Sequence, residues 1–574
     1  MDACAAGASQ RRRARRRIIL PAIVTVLPRA RQSFMVAVLL VWFVASDRTG
    51  RSRLSAQPHP ASHGTLRAIP GTILERPPVK RAGIGRAHEV ISTTAAGAQE
   101  WYDIGLAHLH SFAWLDAARA FNAALRLDPQ CAMAHAGLSF AFGGLGAFQG
   151  AVDEIARAQR AVSPAAAHDR LRIALRQQQL QVLSGALASD RYVAALDQAL
   201  TAAPKDVELL LLRGEAGSGD VAASGHDSGA SGVVYYQRAQ QADANAFAPR
   251  HYLAHAYENS GQTALALRES EVYATMAPAV PHAHHMVGHS LRRLGRTSEA
   301  IARFEQADAL AQAAFASDQV PPEYDWHTHH NTALLAAAYR YVGRLQAAAQ
   351  RLEPAFTRAA PLLPEELTKR AWPALLLVRG RVVEAATAAL QLTLHGDPLV
   401  RGAGHLATAQ VHLSAGRVAA AGLAADAALR ELRQAGAAAS ELAPDLRMTQ
   451  GVFLLRSSER DRERARTMVR DAMASWRARN GPDAWSDTLF ALELTFRLVR
   501  QADDRVLAAE VAEQMRQHDP LYAGTSFALA LVAEARGDRA AARAAYTEAI
   551  ARWQAADPDH PDAQTARARL ASLS

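Results

Sequence analysis

Two histidine pairs, each spaced by one turn of helix, lie 34 residues apart in this chain. "HYLAHAYE" (251–258) carries His251 and His255, and "HAHHMVGHSLRRLGR" (282–296) carries His285 and His289. Spacing i, i+4 puts both rings of a pair on one side of a helix, with Cβ atoms roughly 5–6 Å apart. Neutral imidazole is a common ligand for Zn²⁺, at Zn–N distances of about 2.0–2.1 Å, so two such pairs would furnish a full or an open coordination sphere for a divalent metal such as Zn²⁺. An open sphere would activate a water for hydrolysis, with Glu258 as ligand or base. A second reading takes Glu258, Arg292, His330, Asn331 and Arg340 as a polar binding groove for a peptide or carboxylate. A third takes the histidines as inherited by duplication and used only for hydrogen bonds between helices. A fourth is acid sensing, because clustered imidazoles repel one another once protonated.

The apolar residues repeat with the same step. In "AQEWYDIGLAHLHSFAWLDAARAFNAALRLDP" (98–129), Trp101, Ile104, Gly105 and His108 fall on one face of a helix. Ala117, Phe121 and Ala124 do so for a second helix, which Asp128-Pro129 ends. Corresponding residues return from 132, from 247 and from 281, the last as Val287, Gly288, Leu291, Gly295, Ala300, Phe304 and Ala307. Later copies include "YRYVGRLQAAA" (339–349), "HLSAGRVAAA" (412–421) and "VAEARGDRAAARAAYTEAI" (532–550). The pattern resembles the tetratricopeptide repeat, a helix–turn–helix unit of about 34 residues. That resemblance implies an all-α solenoid of about ten or eleven units with an inner concave face. It also implies that positions two, five, nine and twelve of each first helix line that face. His251 and His255 hold positions five and nine of one unit, and His285 and His289 hold the same positions in the next. Neighbouring first helices pack roughly 8–10 Å apart, so the four rings are expected to converge. Glu258, Arg292 and Arg340 hold position twelve, and His330 holds position two with Asn331 beside it. His282, His284, His327 and His329 are weaker candidates, three of them at helix starts where a solvated histidine is ordinary.

Residues 98 to about 344 further resemble a group of bacterial tetratricopeptide proteins related to the eukaryotic tetratricopeptide repeat protein 38. The likeness rests on "FNAALRLDPQCAMAHAG" (121–137), a long helical pair at 165–212, His251-x-x-x-His255-x-x-Glu258, His285-Met286-x-x-His289 and His330-Asn331, in that order. Val287 departs from the proline usual in the group, and a Gly/Ser insertion (214–232) replaces a more ordered segment. No established activity comes with this resemblance.

Length and charge narrow the function classes. At 574 residues the chain exceeds one compact core and suits an elongated array. Its formal charge of +9 sits within residues 1–53, and the remainder balances, so a basic groove for nucleic acid is not expected. "RRRARRR" (11–17) and the 13-residue apolar run "FMVAVLLVWFVAS" (34–46) read as a signal peptide or a membrane anchor. They place the protein in a bacterial periplasm or on a membrane facing it. Residues 47–95, rich in Pro, Gly, Ser and Arg, read as a disordered linker. Two arrays are expected beyond it, 96–344 with the histidine-rich concave face and 345–574. Cys4 and Cys131 are the only cysteines, which leaves no disulfide within the array and no Cys-pair zinc motif. No His-Glu-x-x-His run and no nucleophile beside a base is present, so any enzymatic activity would rest on the histidines alone. The expected function is a scaffold that binds a protein or peptide in the concave groove; the alternative is a metal-binding protein, with hydrolysis as its extension.

Overall fold

In the computed structural model the described residues are 68–163, 166–218, 229–479 and 482–573. They lie in one compact unit and fold into α-helices joined by short turns; the sole β-type contact among them is an isolated bridge between Arg86 and Ala246. Helices pair in sequence, Ala98–His110 with Trp114–Leu127 through to Ala523–Ala535 with Arg539–Arg552, and Pro561–Ser572 packs on the last pair. The architecture is an all-α tetratricopeptide-repeat solenoid.

The hairpin that starts at Pro281 shows how the sequence builds a unit. Pro281 opens the helix Pro281–Arg293, where its missing N–H costs nothing. Gly295, at φ +76°, ends the turn in the left-handed region, and the Arg296 N–H donates back to the Leu291 carbonyl at 2.9 Å. The returning helix Thr297–Asp318 brings the buried Phe304 ring against Gly288, where a Cβ would stand only 2.7 Å from the ring. The small residue is what lets the two helices close on an aromatic. Phe121 does the same against Gly105 of its own unit and Gly137 of the next.

The inner side of the solenoid is filled rather than open. The first hairpin folds back onto the later units: the Trp326 indole N–H donates to the Phe112 carbonyl at 2.8 Å, and Trp114 stacks on Trp326 at 4.8 Å between centroids. From the other side the helix Pro482–Gln501 supplies Ser486 to Arg292 and Glu493 to Arg340.

Three expectations change. Residues 68–95 are a packed strap and not part of a disordered linker. Ile73 and Ile91 are buried, and the Asp318 carboxylate accepts from Arg81 at 2.6 Å and from Arg119 at 2.7 Å. Arg119 in turn donates to the Arg76 and Pro77 carbonyls, and Glu89 accepts from Tyr102 and Arg172 at 2.6 Å each. Fixed polar contacts thus do for the strap what apolar periodicity does for helices. Residues 167–242 form two hairpins where the sequence suggested one: Ala167–Leu183 packs with Ser189–Ala202, and Val207–Ser218 with Val233–Ala242 across the Gly/Ser segment. The division at 344/345 falls in the turn between Trp326–Tyr341 and Leu345–Thr357, which pack on each other as one hairpin. The segment 1–46 lies outside the described residues, as do 47–67 of the linker and 219–228 of the insertion. Among the described residues no helix is long and apolar enough to cross a membrane.

Candidate metal centre

Three successive first helices carry the histidines. Ala248–Asn259 holds His251, His255 and Glu258; Pro281–Arg293 holds His282, His285, His289 and Arg292; Trp326–Tyr341 holds His327, His330, Asn331 and Arg340. Ligand-capable nitrogens lie within 4.8 Å of one another in three groups: His251, His255 and His282; His282, His285 and His327; His285, His289 and His330. The sequence led to the expectation that His251, His255, His285 and His289 share one ligand position; the structure divides them between two groups. Each pair instead takes its third imidazole from the start of the following first helix.

The first group is the tightest. His251 Nε2 lies 3.1 Å from His255 Nε2 and 3.0 Å from His282 Nε2. Two nitrogens bound to one tetrahedral ion at about 2.0–2.1 Å stand roughly 3.4 Å apart, close to these separations. The tautomer of His251 follows from its other nitrogen. Nδ1 is 2.6 Å from the His110 carbonyl oxygen, which only accepts, so Nδ1 carries the proton and Nε2 turns its lone pair inward. Phe112 closes the group from the first hairpin, with its ring centroid 4.5 Å from His251, 5.6 Å from His255 and 5.3 Å from His282.

The last group repeats this logic one unit on. His285 Nδ1 lies 2.8 Å from Asn331 Oδ1, and Asn331 Nδ2 donates to the Phe304 carbonyl at 3.0 Å, which fixes the amide. Nδ1 of His285 is thus the protonated nitrogen, and its Nε2 points inward with no hydrogen-bond partner. Ring centroids of His285 lie 4.4 Å from His289 and 4.9 Å from His330. Glu258 Oε2 is 3.4 Å from His289 Nδ1, both side chains being fully buried.

Burial decides the protonation. His251, His255, His285 and His289 are each 0% exposed and His282 2%. Burial pushes His251 down to about 3, even though the His110 carbonyl opposes the shift. Burial, reinforced by the neighbouring histidines, also lowers His282, His285 and His327, and burial with His289 and Arg292 nearby lowers His330. Near neutral pH His251, His282, His285, His327 and His330 are therefore uncharged and keep lone pairs available for a cation.

The residues expected to line a peptide groove are occupied within the protein. Arg292 donates to Ser486 Oγ at 2.6 Å and lies over the Trp485 ring; Arg340 pairs with Glu493 at 2.8 Å over the Phe490 ring. Glu258, Arg292 and Asn331 are 1–2% exposed, and His330 faces Asp483. The open groove is absent here because the first hairpin and Pro482–Gln501 occupy the concave side. His282 and His327, expected to be solvated at helix starts, are buried within the row. The position-two rule that singled out His330 also applied to His282 and was the available signal. His284 and His329 stay off it, His284 bonding the Pro278 carbonyl at 2.9 Å.

No family model matches the chain, and no curated protein does. Solved structures with a similar helical path include MamA MSR-1 C2, 19% identical over 32% of this chain and 98% of that one, with a TM-score of 0.22. Others are the human IFIT1 dimer with PPP-AAAA, 13% identical over 78% and 95% with a TM-score of 0.35, and the APC/C hetero-tetramer Cut9-Hcn1, 14% identical over 82% and 90% with a TM-score of 0.29. Likeness at this level carries no argument about what this chain binds. The class that the chain's own helix pairing defines is an all-α helical-repeat solenoid.

Proposed function

We propose that this scaffold holds a divalent transition metal in its interior, with His251, His255 and His282 as ligands. The observation that carries the reading is the convergence of three Nε2 atoms, two of them within 3.1 Å of the third, whose tautomer a backbone carbonyl fixes. An all-imidazole set suits Zn²⁺, Cu²⁺, Fe²⁺ or Ni²⁺ rather than Mg²⁺ or Ca²⁺. Closure of the ligands from solvent favours a structural or storage role over hydrolysis, which needs an open coordination position. The "His-x-x-x-His" stretch that resembles the bacterial group would then be a ligand motif. The apolar run at 34–46 supports export or anchoring, so that the ion would be met in the periplasm; N-terminal sequencing of the protein recovered from fractionated cells tests that part.

Elemental analysis tests the metal. The full chain, purified without a histidine tag and dialysed against Zn²⁺ and then against metal-free buffer, is expected to keep at least one ion per chain. His251→Ala and His282→Ala should each lower that content, with helix content unchanged by circular dichroism. Wild-type content well below one ion per chain would overturn the reading.

A further inference from the structure

The repeat copies more than the apolar core. In the first triad, His251 and His255 occupy positions five and nine of one unit, and His282 occupies position two of the next. In the last triad, His285 and His289 occupy positions five and nine, and His330 position two of the unit after. In both, the position-five ring has its Nδ1 tied to an oxygen acceptor, the His110 carbonyl in one and Asn331 Oδ1 in the other. The next positions five and nine are Ala333 and Ala337, and the series stops.

The last triad has a carboxylate that the first lacks. Glu258 is 1% exposed, and neither of its oxygens has a hydrogen-bond partner among the protein atoms. His289 is fully buried, and neither ring nitrogen has one. Buried charges in proteins are paired or coordinate metals, because an isolated one is too costly to desolvate. A cation between these groups would meet the lone pairs of His285 Nε2 and His289 together with the Glu258 carboxylate.

We infer that His285, His289, His330 and Glu258 form a second metal site, one repeat step from the first, for a divalent transition ion taking mixed nitrogen and oxygen donors. The inference extends the proposed function in taking buried imidazoles as ligands, but it uses a separate set of them. The middle group does not add a third ion. With Nδ1 of His285 engaged by Asn331, its one free lone pair is on Nε2, and a ring spent on the last triad is not available to His282 and His327. Full loading is therefore two ions per chain.

The test is a titration of the chelator-stripped full chain with Zn²⁺ in competition with a chromophoric chelator, alongside His255→Ala, His289→Ala and Glu258→Gln. His289→Asn is carried as the milder substitution, and circular dichroism checks that each variant is folded. Wild type should bind two ions, His255→Ala and His289→Ala one each, and the double variant none. Glu258→Gln should weaken one of the two ions by at least tenfold. A wild type that binds one ion, lost in His255→Ala and kept in both His289 variants, overturns the second site and leaves the first standing. One ion lost in the His289 variants and kept in His255→Ala does the reverse. No ion in the wild type removes both.

Discussion

Replacing His255 by alanine in a His289→Ala background should uncouple metal from local stability. An ion in the first triad would tie Ala248–Asn259 to Pro281–Arg293, because its ligands come from both helices. A ligand that binds only the folded form stabilises it by RT ln(1 + [L]/Kd), about 2.7 kcal/mol when free ion is a hundred times Kd. That is roughly a hundredfold in the local opening equilibrium, which amide exchange reads directly. Truncating the fully buried His255 has a cost of its own, on the order of 2–5 kcal/mol for a large-to-small change in a packed interior. The two effects separate by condition, since the packing loss appears without metal and the ligand loss only on adding it. Hydrogen exchange by mass spectrometry on His289→Ala, which leaves only the first triad, and on the double variant His255→Ala/His289→Ala, each with a chelator and with Zn²⁺, supplies the four cases. Exchange of peptides spanning 248–293 should slow about a hundredfold in His289→Ala on adding Zn²⁺ and less than threefold in the double variant. A solenoid passes stability mainly to neighbouring repeats, so the hairpin Ala523–Ala535 with Arg539–Arg552 should respond in neither. An equal Zn²⁺ response in the double variant, or slowing spread evenly along the chain, would refute the reasoning.

Asn331→Ala removes the acceptor that fixes the His285 tautomer, and loss of such a partner typically weakens metal binding about 10–100-fold; competition titration should find one of the two ions weakened and the other unchanged. Asp318→Asn removes one of the two carboxylates paired with the buried Arg119, Asp116 remaining, together with the partner of Arg81, and should cost about 1.5–3 kcal/mol locally. Trypsin should then cut at Lys80 and Arg81 on the order of a hundred times faster, whereas an unchanged rate would mean the strap is held by other contacts. Glu365, 3% exposed, has its carboxyl pushed up to about 8 by burial, with Asp325 and Asp483 adding to the shift. A raised carboxyl holds its proton in the folded state after the unfolded chain has released it, so its contribution is undiminished below about pH 4.5 and is lost as pH rises toward 8. Glu365→Gln should therefore stabilise the protein at pH 7 by up to about 3 kcal/mol and change nothing at pH 4, read as the shift in urea midpoint between the two pH values.

The helices and the histidine pairs were legible because both are local. Gly288 facing Phe304, and His251 facing His255 four residues on, are decided within one unit, where spacing settles the geometry. What escaped depends on contacts between distant parts of the chain. His282 and His327 stand at helix starts, where solvent is the usual neighbour, and they are buried because the Phe112–Trp114 end of the first hairpin folds down on Trp326, 214 residues away from Phe112. Arg292 and Arg340 look like groove residues until Ser486 and Glu493 arrive from the C-terminal half. The strap escaped for another reason. Its hold is a set of buried polar contacts centred on Asp318 and Glu89, and irregular backbone shows no period from which to read them.

Closing the concave side is also what would make the histidines useful. In an open groove, water would hydrate them and their charge would vary across the physiological range. Covered by Phe112 and by Pro482–Gln501, they are shielded from water; acceptors fix the tautomers of His251 and His285, and the Nε2 atoms of His251, His255 and His282 face one another across distances suited to an ion. Seven imidazoles and a carboxylate packed in this way without a cation leave Glu258 and His289 desolvated with no hydrogen bond, only each other's company at 3.4 Å. An apolar filling at the same positions would have cost less, as Ala333 and Ala337 show one unit further on, where the same register carries methyl groups. A chain that keeps the polar set in two consecutive units and drops it in the third is specifying a bounded site, and the bound it specifies is two.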